Sequence, residues 1–282
     1  MSIVDRIAAV LLSFLMSLFC FIFIVCIILS CTFSQPSFMT GVLEKRQYYD
    51  AIFYEYCDAV ESLAIPAGVD EGIFSAVVSE DEFKENINNV VYSAYNSTDS
   101  YAGAAFDYDS VYQRFYNCMA DFAESKEIEV TDEIAEGLDN VADLCASTCQ
   151  VYVTIPFIDT IGAYASEFGK YLKIGALISG VLFMFMCVVL FTSKKWRRFS
   201  FKPLPTALIA DGFMLAAAPA AVLLSGKIRY IQVEVKSLYH FAVGYIEHLL
   251  YTFITVGAVL LAVGVLTAVI FAIIRSKRNR IG

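Results

Sequence analysis

The 282-residue chain is 58% hydrophobic, has a mean hydropathy of +0.63 and carries a net charge of −9. Soluble domains are nearer half apolar, so the excess excludes an ordinary water-soluble fold and requires an apolar surrounding. Nothing in the chain points to a nucleic acid: its basic clusters are explained by membrane topology.

In chain order, residues 1–6 form a short head in which Arg6 is offset by Asp5. Residues 7–30 hold no charge and are long enough for a first transmembrane helix, which needs roughly 20 apolar residues. The stretch is too long and its flank too weakly basic for a simple cleaved signal. Ile28-Leu29-Ser30-Cys31 loosely resembles a lipoprotein cleavage site, but an uncleaved anchor is the better reading.

Residues 31–173 form a large polar insertion. Between Thr32 and Lys170 there are 25 acidic and 6 basic residues, a net charge of −19. Its apolar residues recur at helical spacing. Val42, Tyr49, Phe53, Tyr56, Val60 and Leu63 share one face, and this helix is expected to stop before Pro66, because a residue preceding proline resists helical geometry. Ser79 and Glu82 form a capping-box pattern, followed by Phe83, Ile87, Val90, Val91, Ala94 and Tyr95. Residues 96–108 read as a loop, which includes the sequon Asn96-Ser97-Thr98. Val111, Phe115, Cys118, Met119 and Phe122 mark another helix. Thr131 caps the next, with Asp132 and Glu133 in its first turn and a stripe through Ile134, Leu138, Val141, Cys145, Thr148 and Tyr152. Pro156 interrupts it. About 140 residues in four or five amphipathic helices can close a core.

Residues 174–192 form the second span, 204–224 the third and 249–274 the fourth. The loop 193–203 carries Lys194, Lys195, Arg197, Arg198 and Lys202, and the tail 275–282 carries Arg275, Lys277, Arg278 and Arg280. Lysine and arginine are retained on the cytoplasmic side. Head, loop and tail therefore face the cytoplasm, and residues 31–173 with the short loop 225–248 lie outside. In the short loop Ile231, Val235, Leu238, Ala242, Tyr245 and Leu249 keep helical spacing, so it extends a neighbouring span and packs against the large domain. The expected fold is all-α, four transmembrane helices with a helical extracytoplasmic domain between the first two, in a plasma membrane.

Residues able to carry chemistry are few. Cys57, Cys118, Cys145 and Cys149 could form disulfides if the compartment is oxidising, and four cysteines allow three pairings. The alternative is free thiols. No CxxC is present. The two histidines, His240 and His248, stand about 12 Å apart along a helix, too far to share a metal. No metal, no other cofactor and no catalytic constellation is indicated, which points away from an enzyme. Asp211 lies about two turns into the third span. An ionisable group there is costly and usually faces the bundle interior or a water path; the alternative is that it reaches the interface or pairs with Lys202. Pro219 adds a kink to the same helix. Gly257 and Gly264, with Ala258, Ala262 and Ala268, and the alanines 216–218, 220 and 221 suit close helix packing.

Gly41-Val42-Leu43-Glu44 with Tyr48-Tyr49, then Ile65-Pro66-Ala67-Gly68-Val69, Val78-Ser79-Glu80 with Lys84, and Ile128-Glu129-Val130-Thr131-Asp132-Glu133-Ile134 resemble an uncharacterised group of four-span integral membrane proteins of Gram-positive bacteria. The resemblance spans nearly the whole chain and implies the architecture, with no known activity to transfer. The chain lacks the outer Trp and Cys signature of four-span junction proteins and the cysteine pattern of tetraspanins. The function expected is that of a non-enzymatic envelope protein whose outer domain binds a protein partner or ligand, while the spans meet the lipid bilayer and are compatible with a homo-oligomer. The alternative is a small transporter or channel component using Asp211.

Overall fold

The computed structural model describes residues 3–70, 72–96, 105–192, 203–230 and 236–281, except the side chains of 3–9, 67, 191, 203, 229, 236, 237 and 274–281. The described residues contain helices and no strand: α1 (Ile3–Cys31), α2 (Pro36–Lys45), α3 (Tyr48–Ala67), α4 (Glu80–Asn96), α5 (Tyr108–Ser125), α6 (Asp132–Val153), α7 (Ile158–Thr192), α8 (Pro203–Leu224) and α9 (Lys236–Ile281), with a 3-10 turn at Lys227–Tyr230. They fall into two compact units. One holds the described parts of residues 1–33, 168–234 and 242–282; the other holds those of 34–167 and 235–241.

The second, acidic unit has a core of large side chains. Tyr56, Phe74, Phe83, Phe115, Met39, Leu43, Ile87, Met119, Ile155 and Ile158 are all fully buried. The rings of Tyr56 and Phe83 stack with centroids 4.9 Å apart, Phe53 meets Phe83 edge-on at 5.5 Å, and Phe74 meets Phe115 edge-on at 5.8 Å. Such pairs prefer offset or edge-to-face geometry because the ring face is negative and the ring edge positive. The helices run antiparallel where the chain turns back. Tyr49 donates to Asn88 at 2.7 Å and Tyr56 stacks on Phe83, so α3 descends along α4. Tyr108 donates to Asp143 at 2.6 Å and Tyr112 to Asp139, which fixes α5 against α6. Phe241, at the start of α9, places its ring 5.7 Å from Tyr48 and belongs to this core. Ile231 and Val235 of the same expected stripe lie outside the described residues.

Three expectations need correction. The helix read through Val42 and Leu63 is two helices, broken at Arg46 and Gln47, where Gln47 takes a left-handed φ of 52°. The break turns α3 away from α2 so that both can lie on α4. Secondly, α3 does not stop before Pro66. It runs through Pro66 to Ala67 and ends on Gly68, whose φ is 71°. A proline in the last turn removes only one helical bond, and the Gly68 and Val69 amides close the helix on Ile65 and Ala64. Thirdly, only half of the capping box forms. The Glu82 amide donates to Ser79 Oγ at 3.3 Å, but the Glu82 carboxylate turns to Arg114 instead. Thr131 does cap α6 through the Ile134 amide at 3.4 Å, and Asp107 caps α5 through the Ser110 amide at 3.1 Å. Between α6 and α7, Phe157 is 79% exposed and holds a left-handed φ of 64°, a conformation that costs a bulky residue about 1–3 kcal/mol.

The apolar unit is built differently. α1, α8, the apolar half of α7 and most of α9 are the four segments long and apolar enough to cross a membrane. Many of their large side chains point outward, among them Phe14, Val181, Phe185, Phe213 and Leu266, while Met16, Leu190 and Leu215 are buried. Their contacts are made where side chains are small. A Cβ on Gly212 would lie 2.7 Å from the Leu261 backbone nitrogen and 2.8 Å from the Gly257 carbonyl oxygen. A Cβ on Gly257 would lie 2.8 Å from the Ala216 nitrogen, and one on Gly264 would meet Ile209 at 2.8 Å. These pairings set α8 and α9 antiparallel, backbone against backbone. Gly180 faces the ring of Phe23 and Gly175 faces Cys26 Sγ, which sets α7 antiparallel to α1.

Candidate functional site

Asp211 is 1% exposed and is turned toward α1. Ser17 donates its hydroxyl to Asp211 Oδ1, and the Cys20 thiol acts on the same carboxyl group. Ser17 and Cys20 lie three residues apart, so both project from one face of α1 onto one residue of α8. Asp211 Oδ2 is buried with no hydrogen-bond partner. The carboxyl group therefore does not reach for the helix end. Lys202, its alternative partner in the sequence, lies outside the described residues. The neighbouring Gly212 is what lets α9 close on the other side of α8. The site's two unforeseen members, Ser17 and Cys20, sit in a span with no charge and no unusual spacing.

In the acidic unit, the strongest polar contact is the fork between Arg114 and Glu82. Nη1 reaches Oε2 at 2.7 Å and Nη2 reaches Oε1 at 2.5 Å, with a further bond from Nη1 to the Val77 carbonyl at 3.4 Å. The carboxylate raises the Arg114 pKa, against burial that lowers it. This pair ties α4, α5 and the segment before α4 together. Glu61 accepts the amides of Gly72 at 3.0 Å and Ser75 at 2.9 Å, which anchors the turn after α3. Burial raises its pKa and the two amides lower it, and the net shift is downward.

The four cysteines of the acidic unit are free thiols in this structure. Cys145 and Cys149 are fully buried, and Cys57 and Cys118 are half-buried. Burial lifts the Cys145 and Cys149 thiols to about 12 and raises Cys57 and Cys118 as well. The thiolate is the nucleophile, so these sites favour the unreactive form. Among the described residues no group of three or more His, Cys, Asp or Glu side chains could hold a metal.

The second charged feature is a surface. Asp132, Glu133, Glu136, Asp139 and Asp143 are exposed along the first half of α6. Tyr108 and Tyr112 of α5 donate to the last two. Their hydroxyls are pushed up to about 12, Tyr108 by burial and then Asp143, and Tyr112 by the bond to Asp139. Of the residues expected to fix topology, Lys194, Lys195, Arg197 and Arg198 lie outside the described residues. Arg275, Lys277, Arg278 and Arg280 lie on the last turns of α9, where only the backbone is described.

Four membrane-length apolar helices, by length and composition, are those of a multi-pass membrane protein. Beyond that class no relative narrows the reading: no known protein family, no curated protein and no solved structure matches the chain.

Proposed function

We propose that the chain is a non-enzymatic plasma-membrane protein that displays its acidic helical unit outside the cell, with both termini in the cytoplasm, and that this unit binds a cationic protein partner. The basic runs 194–202 and 275–280 support that orientation, because lysine and arginine are retained on the cytoplasmic side. The observation that carries the binding reading is the exposed acidic row on α6. Elsewhere in the unit, Glu44, Asp70 and Glu82 meet Lys84, Lys126 and Arg114 at 2.5–2.9 Å. The α6 row meets only tyrosine hydroxyls among the contacts described and gathers five exposed acids on one helix, so its charge stays available to a partner. A row of one sign steers and selects a partner of the other sign.

The test is carbodiimide crosslinking of carboxylates to amines in intact cells, followed by purification and mass spectrometry. A protein linked repeatedly through Asp132, Glu133 or Glu136 is expected. The link should weaken at high salt and in a Glu133→Lys, Glu136→Lys variant. Links confined to copies of this chain through the membrane helices would contradict the reading.

A further inference from the structure

A carboxyl group removed from water must have its charge balanced or be neutral, because burying an isolated ion costs far more than a helix contact returns. Asp211 is 1% exposed in the apolar unit. The side chains it meets from α1 are Ser17 and Cys20. Cys187 of α7 is close enough to Cys20 to act on its thiol electrostatically. Toward α9, the atoms nearest to its neighbour Gly212 are the Leu261 nitrogen, the Gly257 carbonyl oxygen and the Leu261 side chain. None of these groups is a cation, and among the described residues no lysine or arginine is paired with Asp211. Ser17 and Cys20 are donors, and donors ease the charge without cancelling it. Oδ2 stays buried and unpartnered. The arrangement is that of a two-oxygen acceptor with one position filled by a hydroxyl and one left for a positive ligand.

We propose that Asp211, with Ser17 at its side, is an intramembrane binding site for a small monovalent cation, a proton or a sodium ion, seated on Oδ2. Both occupants share one chemistry: a single positive charge small enough to enter a closed contact between α1 and α8. Ser17 holds the carboxyl in position through Oδ1, and its hydroxyl oxygen is a further donor for a metal ion. The proposal does not depend on the acidic unit or its partner.

Infrared spectroscopy of the full-length protein in nanodiscs tests this. Spectra of the native protein and of Asp211→Asn are subtracted, first in choline buffer free of sodium and potassium, then with sodium chloride. A carboxylic-acid carbonyl band in the difference, present in both buffers, identifies a proton. The same band in choline, replaced by carboxylate bands in sodium, identifies a sodium ion. Ionised carboxylate bands in choline that ignore sodium would overturn the proposal, since the charge would then stand without a bound cation. If Asp211→Asn does not fold, Ser17→Ala provides the second reading. Loss of its hydrogen bond must displace the frequency of the same acid band, and a native-minus-Ser17→Ala difference holding only sodium-indifferent carboxylate bands would overturn the proposal equally.

Discussion

The acidic unit and the apolar unit solve the same problem, packing helices, with opposite materials. The acidic unit buries its largest side chains, with Tyr56, Phe74, Phe83 and Phe115 fully enclosed. The apolar unit leaves Phe14, Phe185 and Phe213 facing outward and brings its helices together at Gly212, Gly257 and Gly264. The difference lies in the solvent. Water rewards the burial of a ring, whereas lipid tails are as apolar as leucine and reward nothing of the kind. What remains between helices in lipid is close backbone contact and an occasional hydrogen bond, such as Ser17 to Asp211.

The contrast can be broken from either side. Truncating Phe83 to Ala should destabilise the acidic unit by about 3–5 kcal/mol, read by chemical unfolding monitored in the near-ultraviolet. Phe185→Ala, an equal truncation on an outward face, should leave the thermal stability of the nanodisc-embedded protein nearly unchanged. Adding one carbon should have the reverse pattern. Gly212→Ala forces a Cβ against the Leu261 and Gly257 backbones and should cost about 1–3 kcal/mol. Gly137→Ala on α6, where a Cβ meets nothing within 4 Å, should be neutral or mildly stabilising. A smaller effect is expected from Asp107→Ala. The Ser110 amide loses its acceptor, at a cost of about 1 kcal/mol, visible as faster hydrogen exchange in the first turn of α5.

The smallest effect is one of pH. The folded pKa of Glu61 lies below its unfolded value because the Gly72 and Ser75 amides outweigh burial. Its contribution is therefore complete above the ordinary carboxylate range and is lost as pH falls through the lowered folded value. Amide exchange at Gly72 and Ser75 should rise in acid beyond the intrinsic trend, and Glu61→Gln should flatten that rise.

The spans were legible because an apolar run of about 18 residues or more with at most a single charge seldom forms anything but a membrane helix. The α6 cap was legible because Thr131 precedes two acids and an apolar stripe. The break at Gln47 was not, since no glycine or proline marks it and tertiary contact with α4 decides it. Glu82 read correctly as a helix-start residue, but a forked guanidinium offers its carboxylate two charge-assisted bonds where the backbone offers one ordinary bond. Asp211 stood out as an acid in an apolar run. Its partners did not, because Ser17 lies 194 residues away and serine is unremarkable in a membrane helix. Gly212 was overlooked beside the more numerous alanines, although it makes the tightest approach of α8 to α9.

The central proposal is that the acidic unit and the basic segments 194–202 and 275–280 occupy opposite sides of a membrane. A membrane-impermeant amine reagent applied to intact cells, with labelled peptides identified by mass spectrometry, tests it directly. Lys126, whose side chain is 48% exposed, is expected to react in intact cells, while Lys194, Lys195 and Lys277 react only after permeabilisation. Labelling of Lys194 and Lys195 in intact cells with Lys126 protected would contradict the account.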